Sequence, residues 1–173
     1  MLSAGSILAA LLVLQQPAPT PAKRLGFTVP KAPWMMGVPA DTFEVTRQSM
    51  KPDGTAAYFM LGNGSGGLVV SFWIEPAKEC KTAVECRDRA WSAEKPRLKN
   101  AEGVAMSEVG QAAVVEYLVP TFGGVKLEEK NMHAYFVRDG YWIDFHLSKA
   151  VYRESDRARF IEFIRAIDFE PKK

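Results

Sequence analysis

The chain has 173 residues, and its 22 Lys and Arg side chains nearly balance its 20 Asp and Glu side chains, giving a formal net charge of +2. Both signs are spread along the sequence, which argues against a nucleic-acid-binding surface. No stretch joins a long basic face to a strongly apolar one, so adsorption to anionic lipid has no support. Residues 23–173 have the usual length of one domain, and we expect a single α+β domain there.

The first 22 residues carry no charged side chain and contain an apolar run from Ile7 to Leu14, followed by a proline-rich stretch from Gln16 to Pro21. The run is far shorter than the roughly 20 residues that a helix needs to cross a bilayer, so it is typical of a signal peptide. We expect residues 1–22 to be a signal peptide and spacer. The mature chain is then periplasmic or secreted, without a transmembrane segment. An uncleaved apolar tail and a retained membrane anchor are the alternatives.

The next part of the chain predicts strands. A short extended piece at 25–29 is followed by strand-like segments at 42–50 and 55–61, and the turn-forming residues 51–54 between these two segments predict a hairpin. Leu68 to Glu75 is rich in Val, Phe, Trp and Ile without a break, which is typical of a strand buried on both faces. We therefore expect helices on both sides of the sheet.

A helix follows these strands. Thr82 and Glu85 have the spacing of a capping box, which predicts a helix that begins at about residue 83 and is stopped by Pro96. Cys80 and Cys86 are the only cysteines of the chain. In an oxidising compartment this close pair predicts a disulfide, and the alternative is two free thiols in the core.

The second half of the chain predicts more strands and a final helix. Strands are expected at 104–109, 111–119 and 127–138, with a turn cluster from Pro120 to Gly124 and a tight turn at Asp139-Gly140. Ser155 predicts the cap of a last helix ending near Ala166, with a short strand at 167–170. The expected fold class is α+β, a central and mainly antiparallel sheet with helices packed on it.

The tight turn fixes the register of the hairpin it closes. Counting outward from it, Tyr135 pairs with Asp144 and His133 pairs with His146. The only two histidines of the chain are thus expected directly opposite each other. Because side chains alternate between the faces of a sheet, Trp142 lies on the same face as these four residues.

This group of side chains has two interpretations. Two imidazoles with Cβ atoms about 5 Å apart could share a cation with Asp144 as the third ligand, in a metal or acid–base site formed with His133 and His146. The other interpretation is a polar cross-strand ladder, in which the histidines are hydrogen-bonded to Asp144 or to the backbone. The sequence leaves both open.

Other motifs in the sequence give weaker indications of function. Gly62-Asn63-Gly64-Ser65-Gly66-Gly67 matches the letters of a dinucleotide-binding loop, but a strand follows it where that site needs a helix N-terminus. A flexible loop between strands is therefore the better interpretation, and no cofactor is expected. No serine lies in a Gly-x-Ser-x-Gly elbow, so nucleophilic catalysis has no support.

The order of these elements resembles a known family. Phe27-Thr28-Val29-Pro30, the later Trp34, and the terminal run Arg165-Ala166-Ile167-Asp168-Phe169 are similar to the PsbP-like α/β/α sandwich superfamily. The similarity spans about residues 25–170, and the superfamily includes photosystem II subunits and exported bacterial proteins of unknown function. The resemblance implies a binding or assembly scaffold rather than an enzyme. It transfers no functional residue, because the superfamily has no shared catalytic signature.

The expected function is that of an exported, non-catalytic binding or envelope-assembly protein, whose partner is a protein or a small ligand of the cell envelope. The candidate binding surface comprises Tyr135, Trp142 and the loop from Gly62 to Gly67, and the glycine-containing segment from Pro120 to Lys126 is a further loop that could project. One alternative is a metal-dependent enzyme or metal-binding protein that uses the histidine pair and Asp144. Another is an inhibitor or immunity protein acting on a secreted enzyme.

Overall fold

A computed structural model describes residues 23–40, 42–62 and 66–172. The expected signal peptide, together with Asn63, Gly64 and Ser65 of the glycine-rich loop, lies outside the described residues. The elements in chain order are β1 (Arg24–Phe27), β2 (Trp34–Pro39), β3 (Glu44–Met50), β4 (Ala57–Gly62), β5 (Leu68–Pro76), α1 (Ala83–Glu94), a 3₁₀ turn (Lys95–Arg97), β6 (Glu102–Val109), β7 (Ala112–Phe122), β8 (Val125–Arg138), β9 (Tyr141–Lys149), α2 (Glu154–Arg165) and β10 (Asp168–Pro171). No helix within these ranges is long and apolar enough to cross a membrane.

Two sheets organise the described chain. A seven-stranded sheet has the order β3-β4-β5-β9-β8-β7-β6, and a three-stranded sheet has the order β1-β2-β10. Neighbouring strands are antiparallel in both sheets. The α+β class with a mainly antiparallel sheet is therefore confirmed.

Strand β2 was not expected from the sequence. It lies between Pro33 and Pro39 and contains Gly37, a composition that favours a loop. The strand forms because β1 and β10 pair with its two edges and satisfy its backbone groups. β1 directly precedes β2 in the chain, but β10 comes from a distant part of it, so the strand does not follow from local propensity.

One face of the seven-stranded sheet carries the main core. Alternate side chains of β4, β5, β9 and β8 point to this face and pack against α2 and the three-stranded sheet. Phe72 of β5 is 1% exposed and stacks on Phe145 of β9 with ring centroids 5.1 Å apart. The opposite face packs against α1 through a smaller cluster that includes Trp91, Tyr117 and Tyr135. Helices therefore lie on both sides of the sheet, but β5 itself is buried on one face only: Trp73 on its other face is 46% exposed, so the expectation of a strand buried on both faces is wrong.

Helix α1 begins and ends where the sequence predicts, with one difference in its cap. The Thr82 hydroxyl accepts a hydrogen bond from the Glu85 amide at 3.2 Å. The Glu85 carboxylate accepts from the Lys81 amide at 2.7 Å, one residue before the position that a capping box requires. The sulfur atoms of Cys80 and Cys86 lie within disulfide-bond distance, which supports the predicted bridge, and their Cα atoms are 5.1 Å apart.

The start of helix α2 corrects the expectation for Ser155. The helix begins at Glu154, so Ser155 lies inside its first turn. The carboxylate of Asp156 accepts the Arg153 amide at 3.0 Å and is paired with Lys149 at 2.7 Å. The acidic side chain of the third helical residue therefore satisfies the N-terminus, which places the cap earlier than the serine suggested.

A buried ion cluster fixes α2 to the sheet. Glu116 of β7 is 3% exposed and accepts hydrogen bonds from Arg157 of α2, while Lys130 of β8 lies 2.8 Å from the same carboxylate. Burial acts to raise the pKa of Glu116, but the hydrogen bonds and charges of the two cations outweigh it and hold the pKa below its ordinary value. The cluster is satisfied within the protein and has a structural role.

Candidate functional site

The α1 face of the seven-stranded sheet is the face that packs against α1, and it carries the polar and aromatic residues singled out in the sequence. Asp139 and Gly140 both have positive φ, +47° and +77°, as a two-residue hairpin turn requires. The predicted register is confirmed, with Tyr135 opposite Asp144 and His133 opposite His146. Each of these two pairs belongs to a row of side chains that continues across the neighbouring strands of the sheet.

The rows run through several strands. One crosses Ser71 of β5, His146, His133 and Val115 of β7. The second runs from Tyr58 of β4 through Trp73 of β5 to Asp144 and Tyr135. Helix α1 covers the β7 and β8 end of these rows and leaves the β4 and β5 end open. The face is therefore a covered cleft that continues into an open platform.

The two histidines are held by the protein itself. Their rings stack with centroids 4.2 Å apart and planes 12° apart. His133 donates from Nδ1 to the Asp144 carboxylate at 2.9 Å, and its Nε2 lies 3.4 Å from the Tyr117 hydroxyl. His146 donates from Nε2 to Oδ1 of Asn131 at 2.9 Å. This is the arrangement that the polar cross-strand ladder predicts.

The same geometry does not gather metal ligands. The lone pair of an imidazole nitrogen lies in the plane of the ring, so two stacked parallel rings direct their nitrogens sideways rather than toward a shared point. Both nitrogens of His133 are occupied by Asp144 and Tyr117. In the part of the chain that the structure describes, no three His, Cys, Asp or Glu side chains are placed to hold a metal ion.

Burial sets the protonation of this cluster. It lowers the pKa of His146 well below its ordinary value, and the positive charge that His133 can carry lowers it further. Burial also raises the pKa of Tyr117 and of Tyr135, and the charges of Glu94 and Asp144 add to both shifts. At neutral pH the cluster therefore presents a neutral His146 ring and two protonated phenols in the field of two carboxylates.

A cleft of about 280 Å³ lies between α1 and this part of the sheet. Its walls come from α1 (Ala90, Trp91, Glu94), β7 (Val115, Tyr117), β8 (His133, Tyr135) and β9 (Asp144, His146). Tyr135 is only 3% exposed, so it belongs to the wall of the cleft and not to the outer surface that we expected. The half-buried Trp142 stacks on it at 6.0 Å and lines a second cleft of about 390 Å³ beside the disulfide.

Sequence reasoning missed Trp91, Glu94 and Tyr117 as parts of this site. Pairing of β7 with β8 shifts between Val119 and Thr121, next to Glu128 at φ +48°. A register counted from the turn of this hairpin would have placed Tyr117 on the wrong face, since a one-residue shift reverses the side-chain direction. Only the bulge brings its hydroxyl to His133.

The open platform is formed by an aromatic pair. Trp73 is 46% exposed, and its ring lies 4.8 Å from that of Tyr58. Antiparallel sheets place mainly polar side chains on a solvent face, so the exposed Trp73 and the half-buried Tyr58 depart from the usual pattern. It extends the aromatic surface of the cleft toward the β3 edge.

The two candidate loops lie away from the cleft. Gly62 ends β4, and Gly66 and Gly67 precede β5 on the far side of the platform. The segment from Pro120 to Lys126 was expected to be a loop containing a turn cluster from Pro120 to Gly124, but most of it extends β7 and β8 and the turn itself is Gly123-Gly124. Beside that turn, Phe122 and Val125 are 76% and 69% exposed.

Comparison with known proteins gives a likeness of fold. The sequence matches no established protein family and no curated protein. The solution structure of cyanobacterial PsbP (CyanoP) from Synechocystis sp. PCC 6803 is similar, with a TM-score of 0.52 and 11% identity over 92% of this chain and 99% of that one. A crystal structure from Bacteroides thetaiotaomicron gives a TM-score of 0.48 and 13% identity over 86% of this chain, which spans 48% of that longer protein. The described chain thus has a PsbP-like α+β fold.

Proposed function

We propose that this chain is an exported, non-catalytic binding protein that holds its partner on the α1 face of the seven-stranded sheet. The observation that carries the proposal is the uninterrupted row from Tyr58 and Trp73 on the open platform to Asp144 and Tyr135 in the cleft. Exposed Trp and Tyr are enriched where proteins bind partners, because they combine a large apolar area with a polar group. The likeness of fold to CyanoP is compatible with this role.

The contacts within the site also favour binding over catalysis. The hydrogen-bond partners of the two imidazoles among the described residues are Asp144, Tyr117 and Asn131, and they include no Ser, Thr or Cys. Ser71 lies opposite His146 in the sheet but forms no hydrogen bond with it. The stacked, hydrogen-bonded rings form a rigid wall for a ligand.

A capture experiment tests this proposal. Immobilised wild-type protein is incubated with an envelope extract beside two variants, Trp73→Ser on the platform and Phe122→Ser at the β7–β8 turn. Both variants replace one exposed aromatic side chain of a strand by serine, at two different places on the molecule. We expect Trp73→Ser to lose the retained partner and Phe122→Ser to keep it. Equal retention by all three proteins would contradict a partner site on the α1 face.

The exposed β7–β8 turn favours a second candidate function. Phe122 and Val125 project from a tight turn, as the inhibitory loop of an enzyme inhibitor does. If the chain is an inhibitor that acts through this turn, Phe122→Ser loses the partner and Trp73→Ser keeps it. The same pair of variants thus separates the two functions.

Export is tested on the mature protein. We propose that cleavage removes residues 1–22, because their apolar run and uncharged composition are those of a signal peptide. Mass spectrometry of the protein recovered from the envelope or medium is expected to show an N-terminus near Lys23. An intact Met1 on cytosolic protein would contradict export.

A further inference from the structure

We infer that the cleft beneath α1 binds a small organic cation, such as a quaternary or primary ammonium group. This inference rests on the proposed binding function and names the class of ligand. The volume of about 280 Å³ is at the lower limit of ligand sites, so the cleft fits a small molecule or a single side chain.

The charge of the walls selects the sign of the ligand. Glu94 of α1 and Asp144 of β9 line the cleft from opposite sides, and no Lys or Arg is among its lining residues. The partner of Glu94 is Arg97 at 3.7 Å, and the Arg97 side chain is 79% exposed, so that contact neutralises little of the carboxylate. The charges of both acids act on the phenols of Tyr117 and Tyr135, where they add to the rise in pKa that burial causes.

The aromatic content of the walls favours an organic cation over a metal ion. Trp91, Tyr117 and Tyr135 contribute rings from three different elements. The negative face of such rings attracts a cation that keeps its methyl or methylene groups, and desolvation in a cleft strengthens the attraction to about 2 kcal/mol in other proteins. A bare divalent cation instead needs three or more converging donor atoms, and the described residues provide no such group.

The hydroxyl group of Tyr135 is available to bind a polar group of the ligand. Among the described residues the Tyr135 hydroxyl has no hydrogen-bond partner, although the residue is 3% exposed. It is not one of the fully enclosed unsatisfied atoms, so it reaches the cleft. Burial keeps this phenol protonated, and it can therefore donate to a ligand oxygen.

The test compares choline with 3,3-dimethyl-1-butanol, which has the same shape and hydroxyl group but no charge. The mature chain is titrated with each compound at pH 8, where few protons compete with the cation for the carboxylates of the cleft. The indole NH signal of Trp91 is followed by NMR. We expect choline to shift this signal in a saturable way and the neutral analogue to leave it unchanged. Equal shifts with both compounds, or no shift with choline at about 20 mM, would overturn the inference.

Two carboxylate variants locate the binding. Glu94→Gln removes one charge from the cleft, and Glu162→Gln removes the same charge from an exposed position on α2, on the opposite face of the sheet. We expect Glu94→Gln to weaken choline binding by about fivefold, as for a partly solvated ion pair, and Glu162→Gln to have no effect. Equal weakening in both variants would indicate a non-specific charge effect and refute the site. If choline does not bind but partner capture still depends on Trp73, the inference of a cation ligand is refuted. The proposed binding function would then still stand.

Discussion

Replacing His146 by glutamine is expected to remove a specific part of the pH dependence of stability. Burial and the neighbouring His133 lower the pKa of His146 in the folded protein well below its ordinary value. In the unfolded chain the imidazole regains a pKa of about 6.5, so below that pH the unfolded state binds one proton more than the folded state. The contribution of a neutral His146 to the free energy of unfolding is therefore fully present above about pH 6.5 and is lost as the pH falls.

The size of this effect follows from one proton. A difference of one bound proton changes the free energy of unfolding by about 1.4 kcal/mol per pH unit, so wild-type protein loses at most about 2 kcal/mol between pH 6.5 and pH 5 through this residue. Glutamine does not titrate, and its amide can still donate to Asn131, as His146 does. Glu116 and Asp156 have lowered pKa values and act at lower pH, since the unfolded carboxyl groups titrate near pH 4.

Urea denaturation followed by circular dichroism at several pH values between 5 and 8 measures the effect. The difference in unfolding free energy between wild type and His146→Gln is expected to be constant above pH 7 and to shrink progressively below pH 6.5. His133 is present in both proteins, so the difference reports the titration of His146 together with its coupling to His133. Parallel curves for the two proteins across the whole range would refute the claim that the folded ring is held neutral.

Three further substitutions test the fold. Glu116→Ala leaves Lys130 and Arg157 without their carboxylate partner and should cost toward the lower end of about 3–5 kcal/mol, because the Arg157 side chain is 41% exposed. Phe72→Ala removes a ring that is 1% exposed and should cost about 3–5 kcal/mol. Replacing Cys80 and Cys86 together by serine should cost about 2 kcal/mol, because it reopens a short loop in the unfolded chain. Chemical denaturation measures all three.

Each substitution has a matched control. Glu108→Ala removes an exposed carboxylate, and Val125→Ala trims a side chain that is 69% exposed, so both should change stability by less than about 0.5 kcal/mol. A loss at Glu116 or Phe72 no larger than at its control would contradict the assigned burial. For the cysteines the control is the reductant, since wild type in reductant should approach the double variant.

Local patterns predicted much of the fold. Apolar runs, turn residues and the Thr82 cap identified most strands and both helices, because these signals act over a few residues. The tight turn at Asp139-Gly140 also predicted the pairing of His133 with His146, since its φ values allow one register. The α+β class and the cross-strand pairing of the histidines therefore follow from short-range signals alone.

The remainder of the site arises from contacts between distant segments. Strand β2 exists because the neighbouring β1 and the distant β10 pair with its two edges, and the bulge near Glu128 turns Tyr117 toward His133. The position of α1, which brings Trp91 and Glu94 over the sheet, depends on packing between elements that are far apart in sequence. Residue order specifies which segments form strands and which two histidines meet, because both are decided within one hairpin. The cleft depends on three-dimensional packing, because a cavity is a property of how separate elements fit together and not of any one segment.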